Sequence, residues 1–269
     1  MKTANAPKKI GAILPDWGYP YEITDEGFIN KWLADRNVEG AEYIVLSTPN
    51  YTAGMGVSEL EFCKRAAAEE ILSAAARQLG NNGCSSIFWG CTSASFFGGL
   101  QYAQRQIRLL SENAGVPASS ASMALLAALD VLGAKRVDVL APYGLELTKL
   151  FVTFLSDAGV SVGNIRRYSP RGRDYDSDCE AELERLVSST PFSDDPIVIP
   201  CTGLNSLQRV ESFEKISSRL VITANQATLW HALALAGLTP SIADSGSFFT
   251  LCAQMNGGAL RLPLQPSMS

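Results

Sequence analysis

A chain of 269 residues, 46% hydrophobic and 18% charged, carries enough apolar side chains for one large or two modest globular cores, which excludes global disorder. Its formal charge of −5, with 22 Lys and Arg scattered rather than clustered, argues against a nucleic-acid surface. No apolar run approaches the roughly 18 residues of a membrane-spanning helix, and the start MKTANAPKKIGAILPDWG lacks a signal-type stretch, so a cytoplasmic protein without a membrane partner is expected.

In chain order, short β-type runs alternate with helical stretches, the pattern of a parallel sheet covered on both faces. Residues 10–14 (IGAIL) and 41–47 (AEYIVLS) read as strands. Ser58-Glu59-Leu60-Glu61 is a capping-box sequence opening one helix to about Leu79, stopped by Gly80 and Asn-Asn-Gly. A strand at 84–90 (CSSIFWG) follows, then a helix from Gly98-Gly99 to about Ala114, ended by Gly115-Val116-Pro117. Ser122 to Leu132 reads as a helix closed by Gly133, and 136–142 (RVDVLAP) as a strand. Ser177-Asp178-Cys179-Glu180 opens a helix toward Val187, before strands at 197–200 (IVIP) and 219–223 (RLVIT). The fold class is α/β.

Six cysteines among 269 residues are too few for a disulfide scaffold, so reduced thiols are expected. There is no CxxC, and the single His231 removes HExxH and paired-histidine metal motifs. Neither a P-loop nor a GxGxxG after a strand occurs. No metal and no cofactor is expected, which leaves chemistry by side chains alone or plain binding.

One internal duplication carries more weight than any single element. Residues 88–95 (FWGCTSAS) and 198–205 (VIPCTGLN) each put Cys-Thr and a small residue at the C-terminal end of a strand, just before a helix, with Cys91 and Cys201 110 positions apart. That spacing is close to one small α/β domain, so two similar domains are expected to present one thiol each to a shared cleft. The domains would be 1–116 with 222–269, and 117–221, joined at Gly115-Val116-Pro117. A helix N-terminus is expected to lower a thiol's pKa from about 8.5 toward neutrality. Hydroxyls beside each thiol suit a carboxylate oxygen, and two thiols on opposite faces of a small carboxylate give racemase or isomerase geometry. Cys63, Cys84, Cys179 and Cys252 lack this setting and read as structural.

GCTSAS at 90–95, LAPYG at 140–144, IPCTG at 199–203 and TANQATLWHAL at 223–233 together resemble the aspartate/glutamate racemase superfamily, in its branch of maleate cis-trans isomerases and arylmalonate decarboxylases. The similarity covers about residues 8–240. It implies two flavodoxin-like domains related by a pseudo-twofold axis, no cofactor, a small-molecule carboxylate substrate between the domains, and a homo-oligomer. By resemblance, Cys91 and Cys201 are catalytic and Thr92, Ser93 and Tyr143 bind carboxylate oxygens. Thr202 and Gly203 stand beside the second thiol, and Pro15 and Asp16 lie on the loop lining the pocket.

The branch leaves several chemistries open. Arylmalonate decarboxylases carry glycine at the Cys91 position, so two retained thiols point to a maleate isomerase-like enzyme or an amino-acid or hydroxy-acid racemase. Cys201 alone suffices for decarboxylation, and a carboxylate sensor without chemistry is the reading outside catalysis. Asp16 would repel a second substrate carboxylate unless turned away, protonated or paired with an ammonium. Trp17, Tyr19, Tyr21 and Tyr51 either wall a larger pocket or pack over a domain edge. His231 reads as packed rather than catalytic. Arg166, Arg167, Arg171 and Arg173 form a solvated face or a guanidinium source, and Asn225 and Gln226 contact the pocket or cap a helix.

Overall fold

The computed structural model describes residues 6–16, 21–49, 57–168, 177–191, 193–238 and 242–255. The first half runs β1 (Lys8–Pro15), α1 (Glu26–Asp35), β2 (Ala41–Thr48), α2 (Glu59–Ala66), α3 (Glu69–Asn81), β3 (Cys84–Trp89), α4 (Thr92–Phe96), α5 (Gly99–Ala114), β4 (Ala118–Ser120) and α6 (Ala121–Val131). The second half runs β5 (Arg136–Ala141), α7 (Leu145–Asp157), β6 (Ser161–Arg167), α8 (Ser177–Ser188), β7 (Ile197–Ile199), α9 (Val210–Ser217), β8 (Val221–Thr223), α10 (Ala224–Leu235) and α11 (Ser247–Met255). A 3-10 turn, Glu22–Thr24, lies between β1 and α1.

Two four-stranded sheets result, ordered β2-β1-β3-β4 and β6-β5-β7-β8, and every pair of neighbouring strands is parallel. The second order repeats the first, which is the duplication read from the two Cys-Thr segments. β3 and β7 hold the same place in their sheets. The central strands are buried along both faces, as at Ile10, Ala12, Ile13 and Leu14 of β1, so their sequences are continuous apolar runs rather than alternating ones. The first sheet extends to Ser120 through β3–β4 pairing of Trp89 with Ser120, and β8 at 221–223 belongs to the second. α10 leaves the second sheet and packs on α6 and against β3 and β4 of the first.

Local chemistry sets the element ends. Ser58 accepts the Glu61 N–H at 3.2 Å, as the capping-box sequence predicts, and Ser120 caps α6 through the Met123 N–H. Gly115, at φ 70, ends α5 in the left-handed region that favours glycine. The single helix expected over 59–79 is instead α2 and α3, broken at Ala67–Ala68. Alanine is the best helix former, so tertiary packing rather than propensity places that break. α3 packs closely on α5 at Gly80, where a Cβ would overlap the Ala114 carbonyl oxygen. Gly80→Ala is expected to cost about 1–3 kcal/mol of overpacking, read as a lower urea midpoint at unchanged slope.

Candidate active site

β3 and β7 each end by handing the chain to a Cys-Thr turn. After β3 the Gly90 N–H donates to Ile13 O at 2.9 Å, and a Cβ at Gly90 would overlap Leu14, so glycine lets the turn pass over β1. Cys91 follows at the N-cap of α4 and is 3% exposed. Its sulfur lies 3.8 Å from Ser93 Oγ. After β7 the turn carries Cys201, which is partly exposed, with Gly203 close beside its sulfur.

A buried hydrogen bond joins the two turns: Thr202 Oγ1 donates to Gly90 O at 2.7 Å. Each partner is adjacent in sequence to one of the cysteines, so the two Cys-Thr turns meet at one seam between the sheets. Tyr143 braces the same seam. Its hydroxyl donates to Pro200 O, and its ring packs edge-on against Phe96 of α4 at 5.6 Å. That bond is made to the chain, so in this state Tyr143 secures the approach to Cys201. Thr92 Oγ1 is fully buried and has no hydrogen-bond partner among the described residues. An unsatisfied buried hydroxyl beside a thiol is costly unless a ligand supplies the partner.

The electrostatics correct one expectation. Burial pushes the Cys91 thiol up to about 11, against the Ala94 N–H and the Ser93 hydroxyl, both of which favour the thiolate. α4 has only five residues, too short for a strong dipole, and burial outweighs it. Cys201 is not followed directly by a helix either, since α9 begins at Val210. Cys91 is therefore a thiol at neutral pH. At pH 8 only about one molecule in a thousand carries the thiolate, and the fraction grows about tenfold per pH unit. Iodoacetamide modification of Cys91, followed by peptide mass mapping, is expected to rise with that slope from about pH 7 to 9, and a plateau below about pH 8 would contradict the assignment.

The remaining sequence candidates fall as follows. Pro15 is buried at the end of β1 and its carbonyl accepts the Tyr21 hydroxyl at 3.1 Å, so Tyr21 packs inward. Asp16 is exposed, its N–H donating to Thr48 O at 3.0 Å. Trp17, Tyr19, Tyr51, Arg171 and Arg173 lie outside the described residues, as does the side chain of Cys179. Arg166 and Arg167 are exposed. His231 bonds Ser119 Oγ through Nδ1 at 2.8 Å, and burial pushes its pKa down to about 4, so it is neutral and anchors β4. Gln226 forms a reciprocal cap with Thr223.

Two residues escaped the sequence reading. Cys63 of α2 is fully buried, and its thiol is pushed up by burial and by Cys91, with the Ser93 hydroxyl opposing. A third thiol thus shares Ser93 with Cys91; its helical setting gave no sign of this. Glu22 is a buried carboxyl whose donors among the described residues come from the second half of the chain. Among the described residues no three His, Cys, Asp or Glu cluster as a metal site, and no helix is long and apolar enough to cross a membrane.

Fold and site together define a duplicated α/β protein with a paired Cys-Thr seam. A family model described as arylmalonate decarboxylase matches residues 46–249, and the chain belongs to that family. It is 26% identical over 170 residues to a maleate isomerase of Pseudomonas putida, covering 60% of this chain and 68% of the relative. It is also 26% identical over 167 residues to the arylmalonate decarboxylase of Bordetella bronchiseptica, covering 60% and 69%. In fold it is similar to a Nocardia farcinica maleate cis-trans isomerase, a cysteine-to-serine mutant with a covalently bound succinylcysteine intermediate. That match has TM-score 0.75 and 21% identity and covers 91% of this chain and 98% of the other.

Proposed function

We propose that this chain is a cofactor-independent isomerase that uses Cys91 and Cys201 on a small unsaturated carboxylate, with a cis-dicarboxylate of the maleate type as its substrate. The observation that carries the reading is the Thr202–Gly90 bond, which brings the two Cys-Thr turns to one seam. The maleate isomerase relatives and the succinylcysteine in the Nocardia neighbour support it.

In this mechanism Cys91 loses its proton to solvent and its sulfur adds to one alkene carbon. The adjacent carbon, with its charge spread into the carboxylate, takes a proton from Cys201. The product is a succinyl thioether with a freely rotating carbon–carbon single bond. After rotation the Cys201 thiolate takes a proton back from that carbon, the Cys91 sulfur leaves, and the trans alkene remains. Thr92 and Ser93 donate to the carboxylate oxygens as charge develops there, in a site shielded from water. Thr92 Oγ1, without a partner among the described residues, has that capacity free.

Decarboxylation of a substituted malonate is the second reading. It is favoured by the family model and needs only Cys201 as proton donor. Incubation in deuterated water with maleate, aspartate, glutamate, hydroxy acids and arylmalonates, followed by NMR, separates them. Appearance of the trans isomer from maleate is the expected result. Carbon dioxide loss from arylmalonate without isomerisation would replace it by the second reading. A ligand-induced melting shift without turnover or deuterium entry would indicate a sensor.

A further inference from the structure

The 201–209 segment that carries the second thiol is irregular, yet its far end is tied down by a carboxylate from the other half of the chain. Glu22 Oε1 accepts the Ser206 N–H at 2.8 Å, the Leu207 N–H at 2.9 Å and Asn225 Nδ2 at 2.5 Å, with Ser206 Oγ at 3.5 Å. Oε2 accepts the Leu207 N–H at 3.1 Å, and the Glu22 N–H donates back to Asn205 Oδ1 at 2.8 Å. Asn225 also donates to Leu204 O at 2.8 Å. One side chain of the β1–α1 connection therefore gathers residues 204–207, close behind Cys201, with Tyr143 holding Pro200 and Thr202 holding Gly90 at the front.

The described partners of Glu22 include no cation. Tyr43 of β2 has its phenol pushed up by burial and then by Glu26 and Glu22, and Lys31, Asp35, Arg36, Glu211 and Asp244 line a cavity on the far side of Leu207. A buried carboxylate without a cation is expensive, and a structural staple could be built from a neutral amide at less cost. The charge makes sense where strong acceptance is needed, because charge-assisted bonds to N–H groups are roughly twice as strong as neutral ones.

We propose that Glu22 is the positioning residue for Cys201: its carboxylate holds the turn bearing that thiol against the first half, and loss of the charge loosens the turn and slows the step that Cys201 performs. The inference rests on the two-thiol reading of the site. Burial pushes the Glu22 carboxyl up to about 7, with Asn225, Leu207 and Ser206 opposing, so the latch loosens as pH falls through neutrality. That sign holds for release of the turn with Glu22 still buried, which removes only the bonds that favour its charge; for global unfolding, which carries Glu22 into water, the sign is the reverse. A carboxyl raised in the folded state costs nothing below its unfolded value of about 4.5, and the cost of ionising it is complete above about 7. Glu22→Gln removes that cost.

The test measures kcat against pH, from about pH 5.5 to 9, for the parent and Glu22→Gln, together with amide hydrogen exchange of Ser206 and Leu207 in the parent, corrected for intrinsic rates. The expected result, over the rise with pH that Cys91 ionisation gives both proteins, is an additional steepening below about pH 7 in the parent that vanishes in the variant, with kcat about tenfold lower in the variant at about pH 8. Protection of the two amides in the parent should fall about tenfold between pH 8 and 5.5. Protection that does not change with pH overturns the proposal, whether or not a substrate turns over. A steepening below about pH 7 that persists unchanged in Glu22→Gln also overturns it, since the charge would then serve the fold alone. If no carboxylate in the panel is converted, the isomerase reading fails while exchange still decides the latch.

Discussion

Cys91→Ser and Cys201→Ser are each expected to lower maleate turnover by at least about a thousandfold, equivalent to roughly 4 kcal/mol of transition-state stabilisation. A serine hydroxyl at residue 91 is a far weaker nucleophile than a thiolate, and at residue 201 it is too weak a base to take the carbon-bound proton back at a useful rate, so the adduct on Cys91, once protonated, is not released. The fold should survive, because the Ser93 hydroxyl and the Ala94 N–H that favour the Cys91 thiolate can serve a hydroxyl equally. NMR of product formation and thermal unfolding of each variant check both halves of this expectation. Near-parent turnover by either variant would refute the two-thiol mechanism. Retention by Cys91→Ser alone would leave Cys201 as the sole proton donor, as decarboxylation requires.

The second large effect lies far from the chemistry. Asp138 in β5 and Arg219, just before β8, form a buried ion pair at 2.7 Å, with side chains 1% and 3% exposed. Asp138 also accepts the Asn164 N–H at 2.6 Å, and Arg219 reaches Pro191 O at 2.9 Å and Asp195 O at 3.0 Å. Burial pushes the Asp138 carboxyl up, but the Asn164 N–H and the Arg219 guanidinium outweigh it and hold it below its usual value. Arg219→Met strands that carboxylate and is expected to cost about 3–5 kcal/mol, or a melting temperature roughly 10 °C lower. The pH dependence changes sign with it. In the parent the carboxylate contributes stability above about pH 4, lost as pH falls through the lowered folded value. In Arg219→Met the same group destabilises the fold as pH rises. Asp138→Asn added to Arg219→Met should recover part of the loss in a thermal scan, and a melting temperature within about 2 °C of the parent for Arg219→Met would contradict the account.

Much of the fold could be read in advance because parallel strands buried on both faces leave continuous apolar runs, as over residues 10–14 of β1 and in β7. The strands that escaped are those without such a run. β6, SVGNIRR, is an edge strand with an exposed final turn of residues, and β4 is three residues ending in two serines. Those serines are accommodated by specific partners, Ser119 with His231 and Ser120 capping α6, which no local pattern announces. The meeting of the two Cys-Thr turns was legible because duplication repeats Cys-Thr at matching strand ends. The ionisation of Cys91 was not, since the short α4 and complete enclosure are tertiary facts. Glu22 was invisible for the same reason: its partners are about 180 to 200 residues away in sequence.

The central claim, that Cys91 adds to the substrate and Cys201 handles its proton, is tested most directly by treating Cys201→Ser with maleate and mapping the peptides by mass spectrometry. The account predicts a succinyl thioether on Cys91, the other described cysteines remaining unmodified. A parent enzyme that isomerises maleate, with no adduct on Cys91 in the variant, would contradict it.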